Sequence, residues 1–79
     1  MPRFFFETSI DDSRLLDEDG LEYPDDVSAR EDGRRSIPAL VAEALGRNAR
    51  RCAVTIRDEG GMVVGRYFAT LDEDVGNPS

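Results

Sequence analysis

Apolar residues recur at Ile37, Leu40, Val41, Ala44 and Leu45, the spacing that lines one face of an α-helix, while Glu43 and Arg47 fall elsewhere on the wheel. The stretch Asp25 to Gly46 is the one clear helical segment. Pro24 ends the extended run before it and biases Tyr23 away from helix. Asp25 or Asp26 then supplies an N-cap oxygen and a negative charge at the positive end of the helix dipole. Gly33 and Pro38 both disfavour a straight helix, Pro by about 3 kcal/mol in an interior position. A cap at Ser36 with Pro38 in a new first turn removes the conflict, so the pattern predicts a kink or restart near Ser36. Gly46 is the expected residue just past the helix end. Arg47, Arg50 and Arg51 follow where cations favour the negative end of the dipole.

On both sides of this helix the period changes to two. Arg3 to Ile10 alternates with Phe4, Phe6, Thr8 and Ile10 on one face and Phe5 on the other. Asp11-Asp12-Ser13 is turn chemistry, and Arg14 to Leu16 resumes an extended run. That run is interrupted by Asp17-Glu18-Asp19-Gly20 and continues at Leu21 to Tyr23, which predicts a hairpin whose second strand is broken or bulged at Gly20. Arg51 to Arg57 alternates most cleanly, with Cys52, Val54 and Ile56 on one face. Asp58-Glu59-Gly60-Gly61 is a tight-turn sequence and Met62 to Leu71 the returning strand. Its inward set reads as Val63, Gly65, Tyr67, Ala69 and Leu71, leaving Val64 and Phe68 on the outer face, with the other register left open. The expected fold is α+β, a ββαββ unit: a four-stranded, mainly antiparallel sheet with one kinked helix packed on one face. A single domain over residues 1–72 and a frayed acidic tail over 73–79 complete the picture.

Composition narrows the chemistry. A 79-residue chain buries only about 60% of its unfolded surface, so each buried side chain matters. The chain has 17 acidic and 10 basic residues, for a net charge of −7, and every basic residue is arginine, which reads as a coding bias. Charge is segregated along the sequence. Residues 1–32 hold 11 acids against 3 Arg, 33–57 hold 6 Arg against Glu43 alone, and 58–79 hold 5 acids against Arg66. An acidic chain is poorly suited to a phosphate backbone, so nucleic acid is not the expected partner. One cysteine and no histidine exclude internal disulfides, zinc fingers and His-dependent triads. No apolar run approaches the roughly 20 residues that span a bilayer, and the opening Met1 to Phe6 is too short for a signal peptide. A cytoplasmic protein without membrane contact is expected.

Met1-Pro2-Arg3-Phe4-Phe5-Phe6, the Asp17-Glu18-Asp19-Gly20 turn, Pro24-Asp25, Ile37-Pro38 and Arg57-Asp58-Glu59 followed by Gly61 occur together in this order. The combination resembles a bacterial domain-of-unknown-function family of short proteins that typically open Met-Pro-Arg-Tyr-Phe-Phe. The resemblance covers nearly the whole chain. Departures are Phe4 for the usual Tyr, Glu7 where His is common, and Cys52 where a larger apolar residue is common. It implies a compact strand-strand-helix-strand-strand unit and carries no catalytic residues to transfer.

Motifs for chemistry are weak. Aligning Gly20 with the glycine of a calcium loop puts Leu15 at the first ligand position, so Asp17-Asp19-Gly20 reads as a plain turn. Gly60-Gly61 precedes no helix and makes no phosphate loop. The acidic pairs Asp11-Asp12 and Asp25-Asp26 read as surface carboxylates. Cys52, alternating with Val54 and Ile56, reads as a small buried hydrophobe. No catalytic residue, metal ligand or cofactor is therefore expected. Arg47, Arg50 and Arg51 form the one basic patch, weak because no aromatic residue interleaves it. Phe5, Val64 and Phe68 on the uncovered sheet face form the expected interaction surface. The leading expectation is a non-catalytic interaction module, self-associating through that face or an edge strand or binding another protein. The competing one is an acidic regulator or inhibitor that occupies a basic nucleic-acid-binding surface on a partner.

Overall fold

The computed structural model describes residues 2–72; the tail expected over 73–79 lies outside them. The strands are β1 (Arg3–Ile10), β2 (Ser13–Leu16), β3 (Leu21–Glu22), β4 (Arg51–Arg57) and β5 (Val63–Thr70), and the helices are α1 (Asp26–Arg35) and α2 (Ile37–Gly46). The sheet order is β2-β1-β4-β5, antiparallel throughout, and β3 pairs with the first two residues of β1. The second strand of the first hairpin is thus split. Asp17 accepts the Asp19 and Gly20 amides on its carboxylate, and Gly20, at φ 73°, passes so close to Phe4 and Phe5 that a Cβ there would sit 2.8 Å from the Phe4 carbonyl oxygen. Only glycine fits both the left-handed conformation and that approach.

The helical segment is one bent helix. Asp25, in extended conformation, caps α1 by accepting the Ser28 amide at 2.8 Å. The bend falls at Ser36, and Pro38 lies in the first turn of α2. Ser36 does not cap α2 with its side chain. It is itself helical, and its hydroxyl donates back to the Gly33 carbonyl at 2.6 Å, so the chain bends without leaving helical conformation. The far end also departs from expectation. Gly46 remains inside α2, and Asn48, at φ 56°, is the left-handed residue that ends it. Ala49 donates to the Ala44 carbonyl and Asn48 to the Leu45 carbonyl, a Schellman closure with asparagine where glycine is usual.

Both helices cover one sheet face and divide the core. Under α1, Phe4, Ala29 and Ile56 are buried with Phe6, Tyr23, Val64 and Tyr67 around them. Under α2, Ile10, Ala44, Ala49 and Cys52 are buried with Leu40, Val41, Ala69 and Leu71. Gly33 is a contact point: a Cβ there would lie 2.8 Å from Ile56 Cδ1, so the residue that weakens the helix locally lets α1 sit down on β4. Leu45, expected on the buried stripe, is 60% exposed, because small Ala44 takes the central position against the sheet.

The register of β5 corrects the expected faces. Gly65 pairs with Ile56 but Val63 pairs with Arg57, leaving Val64 as an extra residue in a β-bulge. The bulge turns Val64 toward α1, where it packs on the core, and puts exposed Val63 on the outer side. The Arg30 stem crosses Gly65, which has no side chain to obstruct it, and its guanidinium donates to the Val64 carbonyl at 3.2 Å.

Candidate functional site

Alternation sends Phe4, Cys52, Val54, Ile56 and Tyr67 toward the helices, so the opposite face of the sheet is built from their neighbours. Register aligns them in rows across the strands. Arg14, Ser9, Ala53 and Phe68 form one row and Leu16, Glu7, Thr55 and Arg66 the next, with Arg51 paired to Thr70 beyond the first. The two central strands contribute small Ser9, Ala53 and Thr55 beside longer Glu7 and Arg51, and the outer strands contribute Arg14, Leu16, Arg66 and Phe68. The result is a trough of about 460 Å³, floored by those small residues and walled by Arg14 on one side and by Arg66, Phe68 and Thr70 on the other. Ala53 and Thr55 are buried although no helix covers them; both are small residues of central β4, flanked by β1 and β5.

Phe68 is 71% exposed and stands on the trough wall, as alternation required. Phe5 also points away from the helices but is only half-buried within a separate hollow, against Leu16, Asp17, Glu18, Arg57, Asp58 and Glu59. Arg3 closes this end: its amide donates to Glu59 at 3.0 Å, and its guanidinium to the Asp19 carbonyl at 2.8 Å and to Glu22 at 3.0 Å. The three residues singled out from the sequence therefore part. Phe68 is on the open face, Phe5 is under the broken end of the hairpin, and Val64 is in the core.

The basic patch disperses too. Arg47 pairs with Glu43 at 3.6 Å and lines a hollow beside Thr8, Ser13 and Leu15. Arg50 lines another with Leu45, Asn48 and Leu71, and Arg51 alone reaches the trough. Arg51 instead joins Arg14 and Arg66, which come from β2 and β5 and are far apart in sequence. Nearby carboxylates are few. Glu7 lies 4.0 Å from Arg14 and 3.9 Å from Arg57, and Asp11 accepts the Arg50 and Arg51 amides. Among the described residues neither Arg51 nor Arg66 makes an ion pair with a carboxylate. In an acidic chain the open sheet face is thus locally basic. Arg14 and Arg66 were the missed residues; for Arg66, its place two positions before Phe68 on an alternating strand was the signal that could have found it.

Two groups outside this face titrate away from their ordinary values. Burial and a hydrogen bond donated to Asp32 push the Tyr23 hydroxyl up to about 12. The Ser28 amide holds the Asp25 carboxyl below the usual carboxylate range. Both belong to helix docking and capping. Among the described residues no group of three or more His, Cys, Asp or Glu is gathered for a metal ion, and no helix is long and apolar enough to cross a membrane.

No curated protein and no solved structure matches the chain. Residues 3–70, from the first residue of β1 to the last of β5, match the family described as Domain of unknown function (DUF6894), and the chain belongs to that family.

Proposed function

We propose that the protein is a non-catalytic interaction module of the cytoplasm that self-associates through the β5 edge. The supporting observation is the contrast between the two sheet edges. On one side, β2 is four residues long and separated from the two-residue β3 by the Asp17–Gly20 loop. On the other, β5 runs eight residues, has no strand partner beyond it among the described residues, contains no proline, and carries exposed Phe68. A long edge with exposed apolar surface is a template for pairing with another strand. Edge pairing about a two-fold axis would set the open faces of two copies side by side. Direct stacking of those faces would oppose Arg14, Arg51 and Arg66 to themselves, so charge favours the edge.

Sedimentation velocity across micromolar concentrations tests this. The expected result is a monomer–dimer equilibrium that Phe68→Asp shifts to monomer while circular dichroism is unchanged. A monomer at every concentration overturns self-association.

The second reading, an acidic regulator that docks on a basic partner, draws support from the end around Phe5. Asp17, Glu18, Asp58 and Glu59 surround that half-buried ring. Its complex would weaken steeply as salt rises, whereas the β5 dimer would tighten as screening reduces repulsion between two chains of net charge −7.

A further inference from the structure

The trough on the open sheet face shares Phe68 with the β5 edge, but its floor and its arginines play no part in edge pairing. Its floor is made of small residues, its walls hold three arginines and one exposed phenylalanine, and two of the arginines have no carboxylate partner among the described residues. The backbone beneath Arg51 is fixed, because Asp11 accepts the Arg50 amide at 2.9 Å and the Arg51 amide at 3.1 Å. We infer that this trough is a docking site for an acidic, extended peptide segment of a partner protein that lays an apolar side chain against Phe68.

Charge and shape select that occupant. Carboxylates spaced along an extended segment can reach Arg14, Arg51 and Arg66, and arginine pairs carboxylates with two parallel hydrogen bonds. The floor over Ser9, Ala53 and Thr55 leaves depth for one apolar side chain between Arg14 and Phe68. Single-stranded nucleic acid fits less well. It uses several aromatic stacking platforms along a continuous basic groove, and this face offers one ring. A second copy presenting the same face would set arginine against arginine.

Arg14 and Arg51 lie on β2 and β4, so substituting them tests the trough apart from β5 edge pairing, with which it shares Phe68. The test is an NMR titration of the full chain with an acetylated, amidated peptide of alternating glutamate and phenylalanine. Controls are a peptide of alternating lysine and phenylalanine and a thymidine hexanucleotide. The acidic peptide is expected to shift amides of β4 and β5 around Ala53 and Phe68, to bind more weakly at high salt, and to lose about tenfold in affinity with Arg14→Glu or Arg51→Glu. Arg51→Gln removes the charge without reversing it, and should show a smaller loss in the same direction should Arg51→Glu fold poorly. Arg34→Glu, on α1, should leave binding unchanged. Absence of trough shifts, equal binding of the lysine peptide, or equal loss with Arg34→Glu would each overturn the proposal. Preferential binding of the hexanucleotide overturns it in favour of nucleic acid. Sedimentation of the same samples reports self-association separately, so either idea can fail alone.

Discussion

Asp11 and Arg51 hold each other through both backbone and side chain: the Asp11 amide donates to the Arg51 carbonyl at 2.9 Å, and the Asp11 carboxylate accepts the Arg51 amide at 3.1 Å. The same carboxylate oxygen accepts the Arg50 amide, and Asp11 sits at φ 52° in the tight β1–β2 turn. One residue thereby ties the first hairpin to the chain leaving α2. Asp11→Ala strands two amides and retains the left-handed strain, so a loss of about 1 to 3 kcal/mol is expected from the urea midpoint. Asp11→Asn tolerates the conformation and still accepts, so its loss should be smaller. Equal midpoints for wild type and Asp11→Ala would show that the clamp contributes nothing.

Gly33 and Ile56 give a sharper test, because two effects of opposite sign meet at one position. Alanine is favoured over glycine in a helix by about 1 kcal/mol. Here its Cβ would meet Ile56 Cδ1 at 2.8 Å inside a buried cluster, and overpacking of that kind costs about 1 to 3 kcal/mol. Gly33→Ala should therefore destabilise the wild type. In an Ile56→Val background, which removes the clashing methyl, the same change should become neutral or stabilising. Thermal unfolding of the four proteins in this cycle measures the coupling, and simple additivity would refute the contact.

Much of the fold is legible in the sequence because each strand has one dry face. Phe4 and Ile10, and Cys52, Val54 and Ile56, alternate strictly, and the structure buries these five. Asp25, Pro24 and Pro38 mark the helix start and its restart for local steric reasons that no packing overrides. What was not legible depends on contacts distant in sequence. The β5 bulge is one such case: nothing in Val63-Val64-Gly65 shows that Arg30 will cross Gly65 and Val64 will turn inward. The Asn48 ending is another, since glycine is the stronger local signal and the closure is fixed by the Ala49 amide reaching Ala44. The trough was hidden for the same reason. Arg14, Arg51 and Arg66 are adjacent only once strand order is known, so the sequence-local cluster Arg47, Arg50 and Arg51 drew attention instead.

Tyr23 links helix docking to pH. Its hydroxyl donates to Asp32 on α1, and burial with this bond raises its folded value to about 12, against 10.0 for the free side chain. A group raised on folding contributes stability that is complete below the unfolded value and lost as pH rises through the folded one. Wild-type protein should accordingly lose stability between about pH 10 and 12. Tyr23→Phe should lack that component while starting less stable at pH 8. The informative quantity is the difference between the two urea midpoints, which should shrink as pH rises. A difference constant from pH 8 to 12 would show that the hydroxyl is not bound in the folded state.

Phe5 and Phe68 point to the same side of the sheet, yet substitution should separate them completely. Phe68 is 71% exposed on the last strand, so Phe68→Asp removes little buried area and should alter the unfolding midpoint by no more than about 0.5 kcal/mol. Phe5 is half-buried, and the Gly20 turn passes 2.8 Å from its ring, measured from the position a Cβ would take. Aspartate there would lose that contact and add a fifth carboxylate beside Asp17, Glu18, Asp58 and Glu59. Burial and like-charge repulsion act in the same direction, so Phe5→Asp should cost about 2 to 4 kcal/mol at low salt. The repulsive part is screened over roughly 8 Å at 0.15 M, so part of the loss should return with added salt, whereas the neutral Phe5→Ala should show no comparable recovery. Association should respond in the reverse order, with Phe68→Asp abolishing a dimer that Phe5→Ala leaves intact. A Phe5→Asp protein as stable as wild type would show that the broken end of the first hairpin does not pack on Phe5.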